Sequence, residues 1–209
     1  MKWLVDNSCM NEKTICCIGD SLTEGDYGIL GKSGIANVKE KNYPYFLSKL
    51  VEHRVLNYGR SGYRSINILP LVEDGTFDVS CAKIIIIMLG TNGGQTPNGD
   101  SENDLAYKQI VNICQKNSDG AKIFLCTPPH VTTDPSKSNC GYYPNVKNAY
   151  DFVLGYAKEC GLEVIDLFND SHFRDDNENI MQPNDGLHFS EIGYKTLAEI
   201  IYVHIKKYI

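Results

Sequence analysis

A chain of 209 residues, 42% hydrophobic and 22% charged, is long enough for one domain that buries a substantial core without staples. Its net charge of -6, with no basic stripe, argues against nucleic acid as a partner. No apolar run approaches membrane-spanning length, and the stretch from Met1 to Ser8 has no apolar signal core, so a cytoplasmic location is expected. The cysteines, Cys9, Cys16, Cys17, Cys81, Cys114, Cys126, Cys140 and Cys160, show neither Cys-x-x-Cys pairs nor zinc spacing. Reduced thiols packed as small apolar residues are therefore expected, with no metal site.

After a surface lead-in, Thr14 to Ile18 reads as a first buried strand. It runs into Gly19-Asp20-Ser21-Leu22, where Ser21 opens or caps a helix. A polar segment from Gly25 to Asn42 follows, long enough to be either a functional wall or lid or a solvated insertion. A helix is expected from Tyr43 to about Val51, with Pro44 near its start. A second strand covers Arg54 to Tyr58 and ends in Gly59-Arg60-Ser61-Gly62, before a helical piece from about Ser65 to Val72.

Lys83 to Leu89 is the clearest strand. Its unbroken β-branched run demands burial on both faces, as in the middle of a parallel sheet. It ends in Gly90-Thr91-Asn92-Gly93-Gly94. A helix from about Asn103 to Lys116 leads to a fourth strand, Ala121 to Thr127, stopped by Pro128-Pro129. A helix up to about Cys160 leads to a fifth, Leu162 to Asp166. The last helix, Ser190 to about Lys206, is expected to bury Ile192, Leu197, Ile200, Ile201 and Ile205. Strands alternating with helices predict a parallel sheet covered on both faces by right-handed crossovers.

In such sheets ligands bind at the carboxyl edge, and the marked residues fall there. Ser21 reads as a helix cap or as a nucleophile. Gly62 reads as a turn glycine or as a backbone N–H donor to a developing oxyanion, and Asn92 as a loop stabiliser or as an amide donor to the same oxyanion. Asp185-Gly186-Leu187-His188 brings a carboxylate and an imidazole close together, the pairing that orients a histidine base. His53, His130, His172 and His204 lack an acid so placed. A metal pair at Asp185 and His188 lacks further ligands nearby. The Gly-x-Ser-x-Gly elbow is absent because Thr23 stands where glycine is required, and no dinucleotide fingerprint follows the first strand.

In these blocks the chain resembles the GDSL family of esterases and lipases, the SGNH hydrolase superfamily. Gly19-Asp20-Ser21-Leu22 is similar to its nucleophile block, and Asn57-Tyr58-Gly59-Arg60-Ser61-Gly62 to the block that supplies an oxyanion N–H from Gly62. Gly90-Thr91-Asn92 is similar to the block that supplies the Asn92 amide, and Asp185-Gly186-Leu187-His188 to the one carrying the orienting acid and the base. The resemblance implies a flavodoxin-like, three-layer α/β/α fold with a five-stranded parallel sheet. It also implies no cofactor, Ser21, Asp185 and His188 as catalytic residues, and an oxyanion hole of Ser21, Gly62 and Asn92. Asp20 is then structural, holding the serine loop. The sequence departs from the family pattern at Gly93, where an aspartate is usual, and in the long segment from Gly25.

A small-molecule ester is the expected partner. The lack of a long apolar tract favours a short acyl group. Tyr27, Tyr58, Tyr63, Tyr142 and Tyr143, all placed on loops at the sheet edge, favour an O-acetylated carbohydrate. An acyltransferase, a thioesterase or a lysophospholipase-like lipase on the same triad, or a non-catalytic binding module, are the alternatives.

Overall fold

A computed structural model describes residues 14–28, 41–174 and 177–209. Five strands, β1 (Thr14–Gly19), β2 (Arg54–Gly59), β3 (Ala82–Met88), β4 (Lys122–Cys126) and β5 (Glu163–Ile165), form one all-parallel sheet. Its spatial order is β2-β1-β3-β4-β5, the doubly wound order of flavodoxin-like folds. β3 is central, and Ile84 to Ile87 are fully buried, as the unbroken apolar run predicts.

Alternation along the strands divides the core into two layers. Ile15 and Cys17 of β1, Ile84, Ile86 and Met88 of β3, and Phe124 of β4 face one side. There they meet Leu47 of α2 (Tyr43–Leu47) and Leu197, Ile201 and Ile205 of α7 (Glu191–Ile205). Cys16, Ile18, Ile85 and Ile87 face the other, against Ile68 and Val72 of α3 (Ser65–Glu73), Ile110 and Val111 of α4 (Glu102–Asn117), and Val153 of α5 (Tyr143–Cys160). Each such fully buried aliphatic side chain contributes roughly 1.5–3 kcal/mol. Two single-turn helices complete the α-helices of the described residues, α1 (Ser21–Glu24) and α6 (Glu178–Met181); α6 has no periodic signal in the sequence.

Several expectations are corrected. The helix from Tyr43 stops at Leu47, short of Val51: the Ser48 hydroxyl donates to the Tyr45 carbonyl at 2.7 Å, and the following N–H groups bond only three residues back. Ile192 is 58% exposed, so the buried face of α7 begins at Gly193 and Tyr194 instead. Tyr58 lies within β2, stacks on Phe77 with ring centroids 4.6 Å apart, and donates its hydroxyl to Asp78; it belongs to the packing under α3 and not to a rim. Cys81 is disulfide-bonded, while the six other cysteines of the described residues are free. Cysteine usage therefore no longer favours a reducing compartment. Among the described residues no helix is long and apolar enough to cross a membrane.

Candidate active site

Register sets the site. Gly19 at the end of β1 lies opposite Gly59 of β2 and Met88 of β3, so all three strands deliver the chain to the same edge, and Ser21, Gly62 and Asn92 follow just beyond. Asp20, fully buried, caps α1 by accepting the Leu22 N–H on Oδ1 at 3.0 Å. Ser21 is thus the first helical residue and not the cap. Its own N–H has no partner among the described residues, as expected at a helix start. One turn of helix gives only a small macrodipole, less than a serine opening a long helix would enjoy. Asn57 ties β2 to this turn by donating to the Thr23 carbonyl at 2.9 Å.

The loop before α7 brings the second part. His188 Nε2 lies 2.9 Å from Ser21 Oγ, and His188 Nδ1 lies 2.7 Å from Asp185 Oδ2. The other carboxylate oxygen of Asp185 accepts the backbone N–H groups of Leu187, at 3.0 Å, and His188, at 2.8 Å. Gln182 donates its side-chain amide to the carbonyls of both His130 and Leu187, holding the loop to the segment that follows β4. Ser21 and Asp185 are almost wholly buried, with 5% and 3% exposure.

Electrostatics follow from this geometry. Burial penalises the Asp185 charge, but the hydrogen bond and charge of His188 and the two backbone donors outweigh it and hold the carboxyl below its ordinary range. Burial likewise opposes a charge on His188. The Asp185 bond and charge, supported by Asp26 and Asp20, still carry the imidazole above its usual value. Burial dominates at Asp20 and pushes its carboxyl up to about 6, against the lowering effect of the Leu22 N–H and the Thr91 hydroxyl.

The oxyanion candidates also lie at this edge. Gly62 is left-handed, with φ +76°, so the turn requirement is real; open space surrounds it. Asn92 donates one amide N–H to the Tyr63 carbonyl at 3.0 Å, in the loop after β2, while Arg64 Nε donates to the Asn92 carbonyl at 2.9 Å. An amide carries two such hydrogens, and the second has no partner among the described residues, which leaves it open to a ligand. At Gly93, where the family pattern has an acid, a Cβ would press on the Asn145 side chain at 2.8 Å. The asparagine side chain occupies that space.

Two neighbours were not singled out by sequence. Asp26 Oδ2 stands 3.8 Å from His188 Nε2, and Asp26 Oδ1 accepts the Gly28 N–H at 2.9 Å. Gly28 itself packs against the Asp185 carboxylate. The described beginning of the long segment therefore touches the site; residues 29–40 lie outside the described residues. The tyrosine rim is only partly formed: Tyr63 is exposed, Tyr27 packs on Tyr194, and Tyr143 packs on His130. A second acid–imidazole pair also exists, with His172 Nδ1 2.7 Å from Asp170 Oδ1, correcting the expectation that His172 lacks an acid placed as Asp185 is beside His188. No hydroxyl meets its other ring nitrogen among the described residues. No group of three or more His, Cys, Asp or Glu side chains among the described residues is arranged to hold a metal ion. A cleft of about 460 Å³ lies behind α1, lined by Glu24, Asn42, Tyr45, Asn57 and Arg60, and includes neither Ser21 nor His188.

Residues 17–196 match the model of the GDSL-like Lipase/Acylhydrolase family. The chain belongs to that family. An acetylxylan esterase of Xylanibacter ruminicola is 25% identical over 92% of this chain and 43% of its own, so the present chain spans less than half the length of that relative. In fold it is similar to the aryl esterase of M. smegmatis, with a TM-score of 0.71 and 18% identity over 94% of this chain and 100% of that one. A carbohydrate acetylesterase from Sinorhizobium meliloti superposes equally well, with a TM-score of 0.71 and 18% identity, covering 95% and 100% of the two chains.

Proposed function

We propose that the protein is a serine esterase that removes short acyl groups, O-acetyl above all, from carbohydrate esters by a Ser21–His188–Asp185 acyl-enzyme mechanism. The observation that carries the proposal is the unbroken line from Ser21 Oγ through both ring nitrogens of His188 to Asp185. A serine hydroxyl needs a base to attack a carbonyl, and an imidazole fixed on one nitrogen by a carboxylate presents the other as that base.

His188 Nε2 takes the Ser21 proton as Oγ attacks the ester carbonyl. The negative charge that develops on the carbonyl oxygen is met by the N–H groups of Ser21 and Gly62 and by the second amide hydrogen of Asn92. The imidazolium, stabilised by Asp185, returns its proton to the leaving alcohol oxygen as the ester C–O bond breaks. Water then repeats the sequence: His188 takes its proton, the acyl–Oγ bond breaks, and the proton returns to Ser21 as the acid leaves. No cofactor is needed for any step. Asp20 serves by holding Leu22, and with it the serine turn.

The likeness to the X. ruminicola acetylxylan esterase and the S. meliloti carbohydrate acetylesterase supports acetyl as the acyl group and carbohydrate as its carrier. The test compares hydrolysis of p-nitrophenyl acetate and p-nitrophenyl octanoate by wild type and Ser21→Ala. Loss of activity in the variant with acetate preferred supports both parts of the proposal. Octanoate preferred overturns the short-acyl part, and equal activity in the two proteins overturns the serine mechanism.

A further inference from the structure

Asp26 has one carboxylate oxygen committed and one not. Oδ1 accepts the Gly28 N–H at 2.9 Å and fixes the local turn. Oδ2 stands 3.8 Å from His188 Nε2, too far for a hydrogen bond, and has no other partner among the described residues. The side chain is 20% exposed, so this oxygen sits at the mouth of the site and not within the core. An ionised carboxylate can only accept hydrogen bonds. The Nε2 face of the imidazole thus presents two oxygens to a substrate, the Ser21 hydroxyl and an acceptor beside it.

We propose that Asp26 determines specificity by accepting a hydrogen bond from a hydroxyl that neighbours the ester on the alcohol half of the substrate. The inference rests on the serine-esterase reading. A leaving oxygen must come within about 3 Å of Nε2 to receive its proton. A hydroxyl on the adjacent carbon lies roughly 3 Å from that oxygen, which brings it within hydrogen-bond reach of an acceptor 3.8 Å from the same nitrogen. The substrate class selected is a monoester of a vicinal diol, such as a sugar acetate with a free neighbouring hydroxyl. Ethers and fully acylated polyols lack the donor and leave Oδ2 desolvated without compensation. Leaving groups that carry their own negative charge are repelled.

The test uses a matched pair, 2-hydroxyethyl acetate and 2-methoxyethyl acetate, with p-nitrophenyl acetate as the reference ester. Wild type is expected to favour the hydroxy ester by about tenfold in kcat/KM. In Asp26→Asn, whose amide oxygen can still accept the Gly28 N–H, that preference is expected to fall to within about twofold of unity. The ratio within each protein is read, so a general loss of activity in the variant cancels. A wild-type ratio near unity, or a tenfold ratio that survives Asp26→Asn, overturns the role of Asp26 while Ser21-dependent hydrolysis of p-nitrophenyl acetate leaves the esterase reading standing. Hydrolysis of the reference ester that is unchanged in Ser21→Ala overturns both.

Discussion

The backbone of Gly28 lies so close to the carboxylate of Asp185 that a Cβ at position 28 would stand 2.2 Å from Asp185 Oδ2. Gly28 also has φ +62°, a conformation that other residues adopt only at a cost of about 1 kcal/mol or more. The acid that orients His188 is therefore packed against a backbone that precedes it in sequence by most of the chain. Gly28→Ala is expected to push the Asp185 carboxylate off Nδ1. The expected loss is about 10²-fold in kcat and about 1–3 kcal/mol in stability, measured by steady-state kinetics and urea melts.

The charge balance at His188 predicts the acid limb of the rate profile. Asp185, Asp26 and Asp20 all face the imidazole and together raise its affinity for a proton, although burial opposes the charge. Only the neutral ring accepts the serine proton, so kcat/KM is expected to rise with pH through a midpoint above 6.5, the ordinary histidine value. Asp26→Asn removes a negative neighbour, disfavours the imidazolium and moves that midpoint to lower pH. An unmoved midpoint contradicts the prediction.

Asp20 predicts a stability effect of defined sign. Its carboxyl is raised from 3.8 to about 6 in the folded chain. The folded state therefore holds this proton more tightly than the unfolded state, and the stability it contributes below pH 3.8 is lost as pH rises through about 6. Asp20→Asn keeps an oxygen for the Leu22 N–H and removes the buried charge. The variant is expected to gain about 1–3 kcal/mol relative to wild type at pH 8, and to lose that advantage near pH 4, as read by urea melts at the two pH values.

Asn92 is expected to act on the transition state more than on binding. Asn92→Ala should lower kcat about 10²–10³-fold while changing KM little. A change confined to KM would place the amide in substrate binding instead.

The legible parts of the fold and site were those whose physics is local. Ile84 to Ile87 announce a strand buried on both faces because no charge interrupts them, and the marked residues follow directly on strand ends, which the parallel pairing of Gly19 with Gly59 and Met88 brings to one edge. Asp185 and His188 stand close enough in sequence for one turn to pair them. Asp26 and Gly28 carried no such signal, since their contacts with His188 and Asp185 exist only once the chain has returned across the sheet. Tyr58 was misplaced for the opposite reason. As the last residue of its expected strand it was counted with the loop tyrosines, whereas the strand runs on to Gly59 and its side-chain alternation sends the Tyr58 ring toward Phe77. The shortness of α2 depended on a single hydroxyl, that of Ser48, competing for a helix carbonyl.

The central claim is that Ser21 is a nucleophile activated by His188. It is tested most directly by exposing the protein to an alkyl fluorophosphonate, measuring the intact mass, and mapping the adduct by peptide mass spectrometry. The account predicts a single adduct on Ser21, absent in Ser21→Ala and formed at least about 10²-fold more slowly in His188→Ala. Labelling at another residue, or labelling of Ser21 at an equal rate without His188, would contradict it.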